Sequence, residues 1–455
     1  MTRASFNTPA DAGSAHTPEL DAPDDAQHDA LYRRIAWRIV PVLLLAYIVA
    51  YIDRVNVGFA KLQMQDALGF SDAAFGLGAG LMFVGYCLFE VPSNLLLARI
   101  GVRKTFLRIM VLWGLTTVAM VFVTTTAQFY AARFMLGVFE AGLFPGVILY
   151  FTYWFPKHRR GRVIGVFMSG ALIGNILAGP LSGAAMKFLD GMAGMAGWQW
   201  LYITQGVPAI VLGFISYVWL CDGPQHAAWL SDAEKARVQA QADTVPEGHL
   251  PRVGQILEAL RERQFRGFVL LNFFIVGASY TMVFWVPTLI RSWGVADVFT
   301  IGVLSALPSL VGVVGVIALS RHSDRKQERR WHFVGACLVA AVGLWLTTIT
   351  QGQLVPSLAA LCFATLGLAS CLPILLASAT DQMTPTRSTI DIPLLTSLGI
   401  LGGFASPAIT GLINTRTGHP VYSMYLVIGL FLVSAVLMLL VVPRRKNQAN
   451  VEARL

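Results

Sequence analysis

Twelve apolar runs of about 20 residues, separated by short polar breaks, dominate this sequence. A run of that length spans the hydrocarbon core of a bilayer as a helix. No water is available there, so each segment must satisfy its own backbone hydrogen bonds, and the helix is the form that does so within one segment. The runs read as 35–60, 72–98, 105–125, 128–155, 163–187, 199–221, 267–290, 297–320, 332–350, 355–379, 389–413 and 421–443. Composition agrees: 55% of residues are hydrophobic and 13% charged, against about 25% charged in soluble domains. This excludes a soluble enzyme and a disordered chain. The 42 glycines and 21 prolines follow no fixed period, which excludes collagen-like repeats. The expected fold is all-α and membrane-integral, with twelve transmembrane helices in two six-helix bundles.

The formal net charge of +9 raises the question of a nucleic-acid partner, and the placement of the 34 Lys and Arg answers it. Twelve spans put both termini on one side. On the other side lie Lys61, Lys187, Arg291 and Arg416, and within spans lie Arg54 and Arg133; the remaining basic residues share the side of the termini. That asymmetry is the positive-inside pattern, so both termini are expected in the cytoplasm and no nucleic acid is expected as a partner. The five cysteines sit in or at the ends of apolar runs without C-x-x-C spacing, and the eight histidines form no ligand cluster. Neither a metal nor a cofactor is expected, and any proton work falls to carboxylates.

Residues 1–30, acidic and rich in Ala, Thr and Pro, read as a disordered cytoplasmic tail without the features of a cleaved signal. An N-terminal bundle is expected over 31–221, a cytoplasmic linker over 222–266, a C-terminal bundle over 267–443 and a cytoplasmic tail over 444–455. Within the linker, Ser231-Asp232-Ala233-Glu234 has the form of a capping box before a short helix. The basic loops LLARIGVRKTF and LSRHSDRKQERRW follow the second and eighth spans, corresponding places in two similar halves.

Charged residues inside a membrane cost several kcal/mol and call for a function. Five stand out: Asp53, Arg54, Glu90, Arg133 and Glu140. Helical rise places Arg54 and Arg133 about 10 and 8 Å below the outer boundary, at similar depth, where each can also snorkel to the surface. Glu140 lies about 18 Å along the fourth span, out of reach of water along the helix, and must face a cavity, a cation or be protonated. It follows Arg133 by seven residues and so shares its face, in RFMLGVFEAGLFPG, whose glycines allow close helix approach. Asp53, about 100° round the helix from Arg54, can point to another neighbour. Two acids and two arginines from two helices suit a site that takes an anion and a proton together. Glu90, before Pro92, reads as a structural charge near the cytoplasmic end of its span. Asp324, Arg325, Arg329 and Arg330 read as a charge lock between helices, and Asp381 and Asp391 as solvated span ends. Tyr47, Tyr51, Asn56, Asn175, Tyr280, Thr396 and Ser397 are the polar residues that can line a pathway or join helices. Trp154, Trp198 and Trp200 fit an interfacial belt.

Taken together, YIDRVNVGFA, FEVPSNLLLARIGVRK, RFMLGVFEAGLFPG, YWFP and SDRKQERRWH resemble the anion:cation symporter family of the major facilitator superfamily, and within it the tartrate, phthalate and hydroxyphenylacetate transporter branch. The resemblance implies the twelve-helix major facilitator fold, alternating access, location in a bacterial inner membrane, and uptake of an organic anion driven by protons. It implies that Asp53, Arg54, Arg133 and Glu140 serve proton coupling and anion binding; on our own reading Arg54 and Arg133 hold the anion and Asp53 and Glu140 carry protons, with the polar span residues Tyr47, Tyr51, Asn175, Tyr280, Thr396 and Ser397 expected as further substrate contacts. Two departures stand out. Ala98 replaces the acid that the superfamily pattern has before Arg99, and TSLGILGGF carries Thr396 and Ile400 where many relatives have asparagines. Loss of two amides favours a more apolar or aromatic acid over a polyhydroxylated one.

The expectation is therefore a monomeric secondary transporter whose partners are a small organic carboxylate, protons and the bilayer. A facilitator or exchanger without proton coupling is the alternative, and a membrane sensor a more distant one. No nucleophile, base or metal constellation points to an enzyme.

Overall fold

The computed structural model describes residues 22–241, 258–383 and 385–442. Twelve helices in it are long and apolar enough to cross a membrane. They are α1 (Asp29–Leu68), α2 (Asp72–Leu97), α3 (Val102–Phe122), α4 (Thr126–Trp154), α5 (Lys157–Phe188), α6 (Gly197–Trp219), α7 (Arg263–Ser292), α8 (Val298–Lys326), α9 (Arg330–Ile349), α10 (Leu354–Gln382), α11 (Asp391–Thr417) and α12 (Pro420–Val441). Side-chain caps begin several of them. Ser71 accepts from the Ala74 N–H at 3.1 Å, Thr125 and Gln128 form a reciprocal capping box, and Asp297 caps α8 through Thr300.

Pairing of the helices shows two like halves. In the first, α1 packs on α5, α2 on α4 and α3 on α6; in the second, α7 packs on α11, α8 on α10 and α9 on α12. The halves meet through α1 with α7, α2 with α11 and α5 with α8, so the last two contacts exchange when the halves are exchanged. This is the architecture that a weak internal echo in the loops suggested.

Three features depart from the sequence reading. Helix α1 continues back to Ala22, nine residues into the segment expected to be irregular; residues 1–21 lie outside the described residues, as do 242–257 of the linker and the tail from 443. Helix α4 is broken: one segment ends at Glu140, Gly142 adopts φ +92°, and a second begins at Leu143. Pro145 has no N–H for the Ala141 carbonyl, and glycine takes the left-handed turn at no steric cost. Helix α11 is interrupted likewise between Gly399 and Gly402. The tryptophans also differ, since Trp154 and Trp198 are buried, and Trp154 stacks on Trp229 with ring centroids 5.7 Å apart instead of facing lipid.

The two faces of the molecule are unlike. On the face away from the basic loops the halves are held together: Lys187 pairs with Asp297 at 2.8 Å, the Ala73 N–H donates to Thr415 Oγ1 at 2.8 Å, and Arg291 donates to the Leu62 carbonyl. Gly179 and Gly302 meet backbone to backbone, where a methyl group on either would overlap the carbonyl of the other. On the basic face, Arg329 binds both Asp324 and Asp381, fastening the ends of α8 and α10 within one half. The linker helix (Asp232–Gln241) docks on the N-terminal half, with Tyr32 donating to Gln241 at 2.8 Å and Glu234 paired with Arg34. The Ser231 cap, with a smaller contribution from Arg34, holds the Glu234 carboxyl below its usual range.

Candidate functional site

Midway through the bundle, α1 brings three consecutive turns of unusual residues to the junction of the halves. Arg54 extends from α1 toward α4 and α7. Its guanidinium pairs with Glu140 and donates to the Tyr280 hydroxyl at 3.1 Å, so one side chain joins both halves. Tyr51 and Tyr86 present ring faces to it at 5.1 and 5.7 Å, a distance at which aromatic faces stabilise a cation. Glu140 is 1% exposed and its second oxygen has no hydrogen-bond partner. The break in α4 sets it there: Glu140 ends its helical segment, with the turn at Gly142 directly beyond.

Asp53 points elsewhere, as the 100° step along the helix requires. It accepts from Trp113 Nε1 at 2.7 Å, Thr117 Oγ1 at 3.1 Å and Asn56 Nδ2 at 2.9 Å, and is 1% exposed. Three neutral donors, two of them on α3, thus hold a carboxyl with no directly bonded cation. The sequence did not single out Trp113 or Thr117, because a buried tryptophan and threonine in an apolar run look like packing.

Arg133 is enclosed as well. Its guanidinium reaches the Ala79 carbonyl and Met82 Sδ, both at 3.4 Å, and its Nε is unpartnered. It lies within electrostatic reach of Asp53, Glu140 and Tyr202 but bonds none of them. Snorkelling to the surface is therefore not what Arg133 does, since only 1% of it is exposed. Close packing of α2 on α4 makes the enclosure possible: Gly137 lies directly against the Met82 carbonyl.

The remaining predicted residues divide. Tyr280 belongs to the Arg54 cluster, and Tyr51 flanks it. Tyr47 is a packing residue, stacked on Phe167 at 4.4 Å and edge-on to Tyr51 at 5.0 Å. Asn175 bonds its own helix at Ala171 but also lines a cavity of about 80 Å³ walled mostly by α7, α8 and α10, with Val55 and Phe59 of α1. Thr396 bonds back to its own helix at Ile392 and Pro393. Ser397 donates to Glu90 Oε2 at 2.6 Å, so Glu90 joins α2 to the broken helix α11 across the halves instead of serving the loops of its own.

The chain is similar to known transport proteins. The profile of the Major Facilitator Superfamily matches residues 43–390. A putative tartrate transporter of Agrobacterium vitis is 39% identical over 422 residues, 93% of each chain. A putative metabolite transport protein, NicT of Pseudomonas putida, is 38% identical over 415 residues, covering 90% of this chain and 94% of its own. Among solved structures, a bacterial homologue of the human lysosomal transporter Spinster, inward-facing and unoccupied, superposes with a TM-score of 0.73 at 18% identity, over 90% of this chain and 97% of that one.

Proposed function

Because the chain belongs to the Major Facilitator Superfamily, and is a multi-pass membrane transporter and not an enzyme, we propose that it takes up an organic carboxylate together with protons. The pairing of Arg54 with Glu140 carries this reading. A guanidinium at the junction of two halves is a natural carboxylate ligand, and here it is already occupied by an internal carboxylate. An incoming anion competes for it. Once displaced, Glu140 is a buried charge without a cation, a state costly enough that it takes up a proton instead. Anion and proton then enter together, and the net charge of the site is the same before and after loading.

Tyr280, on α7, senses the event for the other half, since it shares Arg54 with Glu140. Asp53 is the second proton carrier in this scheme, its ionised form held by Trp113, Thr117 and Asn56. Arg133 supplies fixed positive charge beside both acids. The basic face is cytoplasmic and the membrane is the bacterial inner membrane, as the charge asymmetry and the bacterial relatives favour. The relative named as a tartrate transporter supports a carboxylate substrate for this chain as well.

The test is transport into liposomes that hold a pH-sensitive dye. Acidification that needs both the protein and an added organic acid supports symport; entry of labelled acid without acidification leaves a facilitator or exchanger.

A further inference from the structure

Lys61 is a buried cation that the scheme above leaves unused. It follows Arg54 on α1 by seven residues, two helical turns and about 10 Å along the same face, and is 2% exposed. The two cations have like surroundings. Arg54 pairs with Glu140 of its own half and meets Tyr280 of α7. Lys61 pairs with Asp72 of its own half, at 2.8 Å, and lies over the ring of Trp285 of α7, 5.0 Å from its centroid. Between them, Gly58 sits so close to the Phe284 carbonyl that a methyl group would collide, so α1 and α7 touch directly there.

Sealing the closed face does not account for this lysine. Its ion pair joins α1 to α2 within one half, whereas the pair of Lys187 with Asp297 crosses between the halves; the contact that Lys61 itself makes across the junction is a ring face. The place also holds spare donors. An ammonium carries three N–H bonds, and among the described residues Asp72 is the one acceptor beside it. Trp285 is buried with an indole N–H that has no hydrogen-bond partner among those residues. Buried donors without acceptors are costly, and the oxygens of an anion would satisfy them. Asp72 in turn accepts from Gln65 at 2.9 Å, so it keeps a donor when it gives up the lysine.

We infer that Lys61 is a second carboxylate station, which takes the organic anion from the outer side before Arg54 does. Uptake from that side requires the closed face to open, and parting the halves there withdraws Trp285 from Lys61 while leaving Asp72 beside it. The anion displaces Asp72 from Lys61 first and Glu140 from Arg54 two turns deeper. An ammonium at the mouth of a cleft with low-dielectric walls also raises the local concentration of anions. The inference rests on the carboxylate reading and the orientation proposed above, and adds an entry step to them.

The test uses the full chain in proteoliposomes with the basic face inside, and measures counterflow of labelled tartrate, benzoate, phthalate and lactate as the outer concentration is varied. Asp72→Asn frees the ammonium and should lower the outer KM at least threefold. Lys61→Gln combined with Asp72→Asn breaks the same pair but leaves no cation, and should raise the outer KM at least threefold above wild type. A pair that only props the face shut would move both variants in the same direction; that result would overturn the inference, as would no movement in either. Lys61→Cys with Asp72→Asn carries neither charge, which keeps the test open if an unpaired lysine unfolds the protein. External aminoethyl methanethiosulfonate then attaches an ammonium at that position and should lower the outer KM at least threefold, whereas the methyl reagent should not; wild type treated alike accounts for its five cysteines. Equal effects of the two reagents would overturn the inference. In all these cases the carboxylate reading stands, because the wild type exchanges the acid. If none of the four acids exchanges or raises the thermal stability of the wild type, that reading falls and the inference with it.

Discussion

Replacing Glu140 by Gln removes the internal competitor for Arg54 while keeping the side chain's size. In the wild type an incoming carboxylate must break a buried ion pair, and breaking such a pair typically costs about 3–5 kcal/mol. Each 1.4 kcal/mol is tenfold in affinity, so full relief would tighten binding by more than about a hundredfold. The glutamine amide oxygen still accepts a hydrogen bond from Arg54, which returns part of that gain. We expect at least about tenfold tighter binding in the variant, whose side chain carries no competing charge. The empty variant should also melt at a lower temperature, because Arg54 is left charged and unpaired, and substrate should restore it. Counterflow of labelled substrate should persist, whereas accumulation driven by a pH gradient should be lost. Wild-type affinity together with retained uphill accumulation would refute the competition argument.

How far these roles were legible in the sequence varies by residue. The twelve spans were, because lipid leaves the helix little alternative and each crossing announces itself by length and hydropathy. Asp53, Arg54, Arg133 and Glu140 were visible because charge inside an apolar run has a high energetic cost. Their partners were not. Trp113 and Thr117 on α3 meet Asp53 on α1 only once the bundle has packed, and Glu90 meets Ser397 across 307 residues of chain. The equal standing given to Arg54 and Arg133 came from equal depth. Depth along a helix says nothing about which face is walled by a neighbour, and the carbonyl of Ala79 decides that for Arg133. The break after Glu140 did leave a signal in Gly142 and Pro145, but such pairs also occur in continuous transmembrane helices.

Arg54→Ala should abolish substrate binding at any pH, seen as the loss of ligand-induced thermal stabilisation; unchanged affinity would remove Arg54 from the site. Gly302→Val should stop transport without unfolding the protein, since its methyl groups collide with Gly179 and hold the halves apart; a cysteine placed at Ser305 should then react with an external impermeant reagent, and full transport activity would contradict the packing. Lys187 and the Thr300 cap pull the Asp297 carboxyl down to about 2 from a usual 3.8. A depressed acid keeps its pair above the usual value and loses it only as the pH falls toward 2, so Asp297→Asn should leave the shape of the transport pH profile between 5 and 8 unchanged. A shifted profile would place Asp297 in the coupling machinery. Glu90→Gln with Ser397→Ala, singly and together, should be non-additive in transport rate if their bond links α2 to α11 during the cycle, and additive effects would show that the contact is incidental.

The claim beneath all of these is that anion and proton enter together at Arg54 and Glu140. Liposomes carrying the purified protein and an internal pH dye, given a transported acid with no imposed gradient, measure it directly. The account requires internal acidification that follows the acid in the wild type and is absent in Glu140→Gln, although the acid still exchanges. Acid entry without acidification in the wild type, or equal acidification by the variant, would contradict it.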